Sequence, residues 1–194
     1  DSKTVNLTVA EPTPLSAALY DFTMESSTCR APGYSPVVTV AYSEDFEAGD
    51  GGYTPLGTTS FAWGQPTSGP GGAHSGLMAW ATNLTGNYFD GENGYIQSPA
   101  IDWSAFAGQP LTLAWWQYLN VASGFDYGSV DVSRDGGASW TTVMGPATGA
   151  VNTTWTEQVR ELDGTFAVSD FRIRFRMTTD SSVVYPGFYV DDVS

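Results

Sequence analysis

The chain has 194 residues, with seven Lys and Arg against twenty-one Asp and Glu, a formal net charge of −14, one cysteine and one histidine. That balance excludes a nucleic-acid binder, which needs a basic footprint to neutralise phosphates. Cys29 alone cannot build an internal disulfide framework, Cys29 and His74 are too few for a zinc site, and no apolar run approaches the ~20 residues of a membrane span.

In chain order, Lys3 to Val9 comes first. Val5, Leu7 and Val9 share one face and Thr4, Asn6 and Thr8 the other, a strand pattern that ends at Glu11-Pro12-Thr13-Pro14. Two readings stay open: the last strand of a preceding domain, or a strand that pairs with another subunit through Val5, Leu7 and Val9. Residues 17–24 and 37–42 are further strand-like runs, separated by the turn-rich 29–36. Residues 1–41 therefore read as N-terminal strands and a Pro-rich linker, and 42–194 as the main domain. No basic stretch followed by an apolar one marks a signal peptide, and the pattern is already running at both ends, as in a piece of a longer protein.

From residue 42 onward, short apolar or alternating runs are separated by Gly, Pro, Asn and Asp. They fall at 76–81, 95–97, 111–119, 129–133, 140–143, 154–162, 171–178 and 187–193. No sustained i, i+3, i+4 stripe appears, so almost no helix is expected and an all-β sandwich or jelly roll is. In 171–177, Phe171, Ile173, Phe175 and Met177 face the core. Arg172, Arg174 and Arg176 form a ladder on the other face, expected to pair with neighbouring carboxylates. In 111–118, Leu111, Leu113 and Trp115 share one face and Trp116 and Tyr118 the other, so this strand is central or has its outer face covered. Ser133-Arg134-Asp135-Gly136-Gly137-Ala138-Ser139-Trp140 has the Asp-box pattern. It is read as a structural hairpin turn capped by Asp135, with Gly136 and Gly137 at positive φ and Trp140 beneath.

Several pieces line up in order: Asp45-Phe46-Glu47, Trp63 to Pro70, Ala73-His74-Ser75-Gly76, Trp80 to Tyr88, Tyr95 to Asp102, and a final Gly187-Phe188-Tyr189-Val190-Asp191-Asp192-Val193. Together they resemble the MAM-like jelly-roll domains of bacterial surface and secreted proteins. These include the cleaved-adhesin domains of gingipains and domains appended to immune-inhibitor-type secreted metallopeptidases. The resemblance covers about residues 42–194. It implies a jelly-roll β-sandwich of the concanavalin or galactose-binding type, behind an N-terminal strand extension.

The resemblance also implies Ca²⁺ where the first strand meets the last. The matching acids are Glu44, Asp45, Glu47, Asp191 and Asp192, with Glu47 and Asp192 foremost and backbone carbonyls, Asn83 or Asp90 completing the shell. His74 is read as a structural hydrogen-bonding residue. With no Gly-x-Ser-x-Gly elbow and no suitable carboxylate pair, the chain is expected not to be an enzyme. Trp116, Tyr118 and Trp63, with Tyr127 and Trp155, are candidate sugar platforms, although at least five of the seven Trp are expected to be buried. Asn6, Asn83 and Asn152 head sequons. Cys29 pairs outside this stretch, pairs with another subunit, or is a buried thiol. The leading functional reading is a Ca²⁺-stabilised, non-catalytic extracellular module for adhesion or protein–protein association, meeting other domains or copies of itself. The alternatives are a self-assembling filament or surface-layer subunit linked by strand exchange, and a glycan-binding accessory module of a secreted hydrolase.

Overall fold

A strand whose residues alternate apolar and polar must bury one face, and two sheets do so by stacking. The computed structural model describes residues 39–194. The expectations placed on Val5, Asn6, Leu7, Val9 and Cys29 lie outside the described residues.

Ten strands follow in order: β1 (Thr54–Thr58), β2 (Phe61–Gly64), β3 (Ala79–Thr82), β4 (Asn93–Gln97), β5 (Leu111–Asn120), β6 (Tyr127–Ser133), β7 (Thr141–Ala147), β8 (Thr156–Leu162), β9 (Arg172–Thr178) and β10 (Gly187–Asp191). Two single-turn 3-10 helices, Ser104–Phe106 and Gly164–Phe166, are the helical elements among the described residues, and neither is long and apolar enough to cross a membrane. The strands form two five-stranded antiparallel sheets, ordered β1-β4-β9-β6-β7 and β2-β3-β10-β5-β8. From β4 onward the chain passes repeatedly between the sheets, as a jelly-roll sandwich requires.

The core is set by alternation. In β9, Ile173, Phe175 and Met177 are fully buried between half-buried arginines. The ring of Phe175 meets those of Tyr53, Trp115 and Phe188, so both sheets and the segment before β1 pack on one side chain. The ladder opposite pairs as expected at two rungs: Arg172 with Asp170 at 2.9 Å and Arg174 with Asp131 at 2.8 Å. Arg174 also lies between the rings of Tyr95 and Trp140. The third rung differs, because Arg176 bonds the Asn93 side chain and not a carboxylate. The Asp-box turn is structural. Asp135 accepts from the Ser139 N–H and the Ser133 hydroxyl, Gly136 and Gly137 have φ of 71° and 95°, and Trp140 lies against Gly137.

β1 and β2 were not expected. β1 is Thr-Pro-Leu-Gly-Thr at a sheet edge, with no buried residue, so no apolar period announces it. Residues 39–42, expected to continue a strand, carry none. At least five buried Trp were expected, but Trp80, Trp103 and Trp115 are buried while Trp63, Trp116, Trp140 and Trp155 are half-buried. The half-buried four lie at sheet edges or on outer faces, where a ring covers a strand without leaving solvent.

Candidate functional site where the two ends of the domain meet

β10 is buried along its whole length. Its inner residues Phe188 and Val190 join the core, whereas Tyr189 and Asp191 point to the outer face of their sheet. That outer face is covered by residues 65–78, which link β2 to β3. The Ser68 hydroxyl meets Tyr189 Oη at 2.8 Å, Trp155 Nε1 donates to the Gly72 carbonyl, and the His74 ring stacks on Trp116 at 3.6 Å. A side chain at Gly69 would collide with the Tyr189 ring, so glycine is required there for the loop to lie flat. This cover explains why β5 is bulky on both faces.

The start of the domain closes on its end. Glu44 and Val193 exchange two backbone hydrogen bonds of 2.9 Å each. Residues 74–78 are then gripped from both sides. Asp191 Oδ2 accepts the N–H groups of His74 (2.8 Å) and Ser75 (3.2 Å), while Asp191 Oδ1 accepts that of Asp192. Glu47 Oε1 accepts the N–H groups of Leu77 (2.8 Å) and Met78 (2.6 Å). The Asp192 carboxylate takes His74 Nδ1 at 2.5 Å on one oxygen and the Ser75 hydroxyl at 2.8 Å on the other. Phe46 and Asp192, one on each side, hold positive φ of 59° and 45°, a conformation non-glycine residues adopt only when their surroundings impose it.

Asp191 is 0 % exposed, and burial together with the adjacent Asp192 carboxylate pushes its pKa up to about 7. Of the five acids expected to hold calcium, the fold thus brings Glu47, Asp191 and Asp192 onto one short loop. Glu44 and Asp45 face a neighbouring cleft of about 280 Å³ that Trp116, Glu157 and Asp192 also line. Among the described residues no three His, Cys, Asp or Glu side chains converge as a chelating set, so an ion here would draw on backbone carbonyls as well. Asn83 and Asp90 do not complete such a shell. Asn83 follows β3 at the level where β10 begins, four residues from Asp191, and Asp90 lies in the loop whose Gly91 bonds Asp180 near that same end.

The other expected residues are placed as follows. Tyr118 is 6 % exposed against Tyr189 and offers no free ring face. Trp63 packs on the core and donates from its indole to the Phe46 carbonyl. Trp116 has one face under His74. Two sequons are tied down: the Asn83 amide donates to the Asn87 carbonyl, and Asn152 Oδ1 accepts from Gln117. The His74–Asp192 contact was missed, although the one histidine and the acid pair at the domain's end were both visible in the sequence. What the sequence lacked was the crossing of 65–78 over β10.

His74, Ser75 and Asp192 superficially supply a nucleophile, base and orienting acid. The connectivity is wrong for that chemistry. The Ser75 hydroxyl bonds Asp192 and not the imidazole, and the imidazole lies flat on Trp116.

No protein-family model matches the chain. It is 32% identical over 180 residues to Bacillopeptidase F of Bacillus subtilis (strain 168). That match takes in 92% of this chain but only 12% of Bacillopeptidase F. The K2 cleaved adhesin domain of Lys-gingipain superposes with a TM-score of 0.53 at 14% identity, covering 78% of this chain and 96% of that domain. The K1 cleaved adhesin domain from Porphyromonas gingivalis W83 gives 0.51 at 18% identity, covering 78% and 95%. The identities are too low to carry function, but the superpositions span the sandwich. By fold, this chain is a jelly-roll β-sandwich, similar to those two adhesin domains.

Proposed function

We propose that this chain is a non-catalytic extracellular module that provides adhesion or protein–protein association to a longer secreted or cell-surface bacterial protein. The observation that carries this reading is the match to Bacillopeptidase F: nearly the whole chain corresponds to a small share of a much longer peptidase. A segment of that kind, with an adhesin-type fold, serves the enzyme beside it and need not react. The geometry of the lone histidine agrees, since His74 is committed to Asp192 and Trp116. The test is to remove residues 39–194 from the complete protein. Retention on the producing cells should fall while the rate on a soluble protein substrate stays unchanged. A collapse of that rate with retention intact would overturn the proposal.

Calcium belongs to the same reading. Of the two adjacent carboxylates, Asp192 meets His74, but the fully buried Asp191 meets backbone N–H groups only and has no positive charge against it. A hard cation would supply it, with Asp191, Glu47 and backbone carbonyls of 74–78 as its holders and a structural role only. Saturating Ca²⁺ should raise the melting temperature and excess chelator should lower it. Identical melting curves in both would remove the metal from the account.

A further inference from the structure

Away from the junction, at the end of the sandwich where β10 begins, the loop after β5 and the loop before β10 face each other. Between them is a groove of about 410 Å³ lined by Ala122, Ser123, Phe125, Ser182, Val183 and Tyr185. Phe125 is 67 % exposed, Val183 64 % and Tyr185 41 %. In so acidic a chain, none of these six residues carries a charge.

The groove is held rigidly from below. Tyr88 Oη makes a short hydrogen bond to buried Asp126 and accepts the Ala122 N–H at 3.0 Å. Asp126 Oδ1 in turn accepts the Asp180 N–H at 2.8 Å, joining the two loops. The Tyr88 N–H donates to the Tyr185 carbonyl, and the Asn87 amide to that of Val184. Within this frame Val183 has φ of 58°. A β-branched residue in that region is a true outlier, and such strain persists where the surroundings over-determine it, often at binding sites.

We infer that this groove binds an uncharged saccharide, with Phe125 and Tyr185 as its aromatic walls. The inference rests on the adhesive reading above and names the ligand class for it. The chemistry selects the occupant by exclusion. With no charged lining and a net charge of −14, the groove rejects an anion and has no specific partner for a cation. A purely apolar side chain would match Phe125 and Val183. It would leave the hydroxyls of Ser123 and Tyr185 stripped of water without partners, a costly outcome. A sugar ring satisfies both sets, since its C–H face lies on an aromatic ring and its hydroxyls bond the rim. The volume is in the range of small-ligand sites, about 300–1,000 Å³.

The test is affinity electrophoresis of the whole chain in gels containing glucomannan, galactomannan, barley β-glucan or neutral xylan, with polygalacturonate as the charged control. At least one neutral polysaccharide should retard the chain. Phe125→Ala and Tyr185→Ala should each weaken that retardation at least tenfold, with unchanged melting temperatures because both side chains are exposed. Polygalacturonate should not retard it. No retardation by any neutral polysaccharide overturns the inference, and so does retardation that survives the double variant. Retention of the complete protein on cells is measured in parallel. If retention persists while polysaccharides fail to bind, the saccharide inference falls and the adhesive role stands.

Discussion

Asp191→Asn separates the proton held at the domain junction from everything else that titrates. Asp191 is fully buried, and its pKa is raised from 3.8 to about 7, by burial first and then by Asp192. The folded state therefore binds this proton more tightly than the unfolded chain. The stabilisation is complete below the unfolded value of 3.8 and is lost as pH rises through about 7. Raising the pH from about 5 to about 8 removes roughly two units of that advantage, about 3 kcal/mol at 1.36 kcal/mol per unit. For a chain of this size that is a fall of about 6–12 °C in melting temperature. The assay is thermal unfolding followed by tryptophan fluorescence, in chelator, across that pH range, for wild type and Asp191→Asn. The substitution also weakens the grip on the N–H groups of His74, Ser75 and Asp192, so it lowers stability throughout. The informative quantity is the difference in slope, from which the distant surface carboxylates cancel. Parallel slopes would refute the reasoning, because Asp191 would then titrate alike in both states.

Gly76→Ala tests the grip from the other side. Gly76 has φ of 55°, and an added Cβ would lie 2.2 Å from the Glu47 carboxyl carbon. The carboxylate must swing away and release Leu77 and Met78, so two exposed hydrogen bonds and the backbone strain together cost about 2–3 kcal/mol in urea unfolding. In a cycle with Glu47→Gln the two losses should be less than additive; strict additivity would mean the collision is relieved elsewhere. Tyr88→Phe leaves Asp126 and the Ala122 N–H short of a partner and should cost about 2–4 kcal/mol. It should also loosen the 122–126 and 180–186 loops, seen as faster amide exchange there than in β9. Uniform exchange would show that Tyr88 does not tie these loops.

What the sequence made legible depended on how local the cause was. β9 is legible because Phe171 to Met177 alternate without interruption and the inner residues are all buried. β5 is legible as an interior strand because Trp115 and Trp116 are neighbours and each must find cover. The meeting of residues 44–47 with 191–193 followed from the resemblance, and the Glu44–Val193 bridge shows that meeting. β1 is less legible because an edge strand need bury little, whereas β8, also at an edge, is read at 154–162. β8 turns Gln158 and Arg160 inward, and the Arg160 guanidinium lies over Trp115 where an aliphatic residue would be expected. The expected sugar platforms on β5 are covered, for a related reason. Tyr118 and Trp116 do face outward from their sheet, but the sequence gives no sign that 65–78 folds across them. Phe125 and Tyr185 drew no notice because lone aromatics in loops have no period, and only the Tyr88–Asp126 frame brings their two loops to one groove.

The most direct measurement of the central claim is made on the complete protein with and without residues 39–194. Partition between cell surface and medium is followed alongside the rate of any casein hydrolysis that the complete protein shows. The account predicts that deletion releases the protein into the medium and leaves the rate unchanged. A protein that stays on the cells but no longer cleaves casein would contradict it.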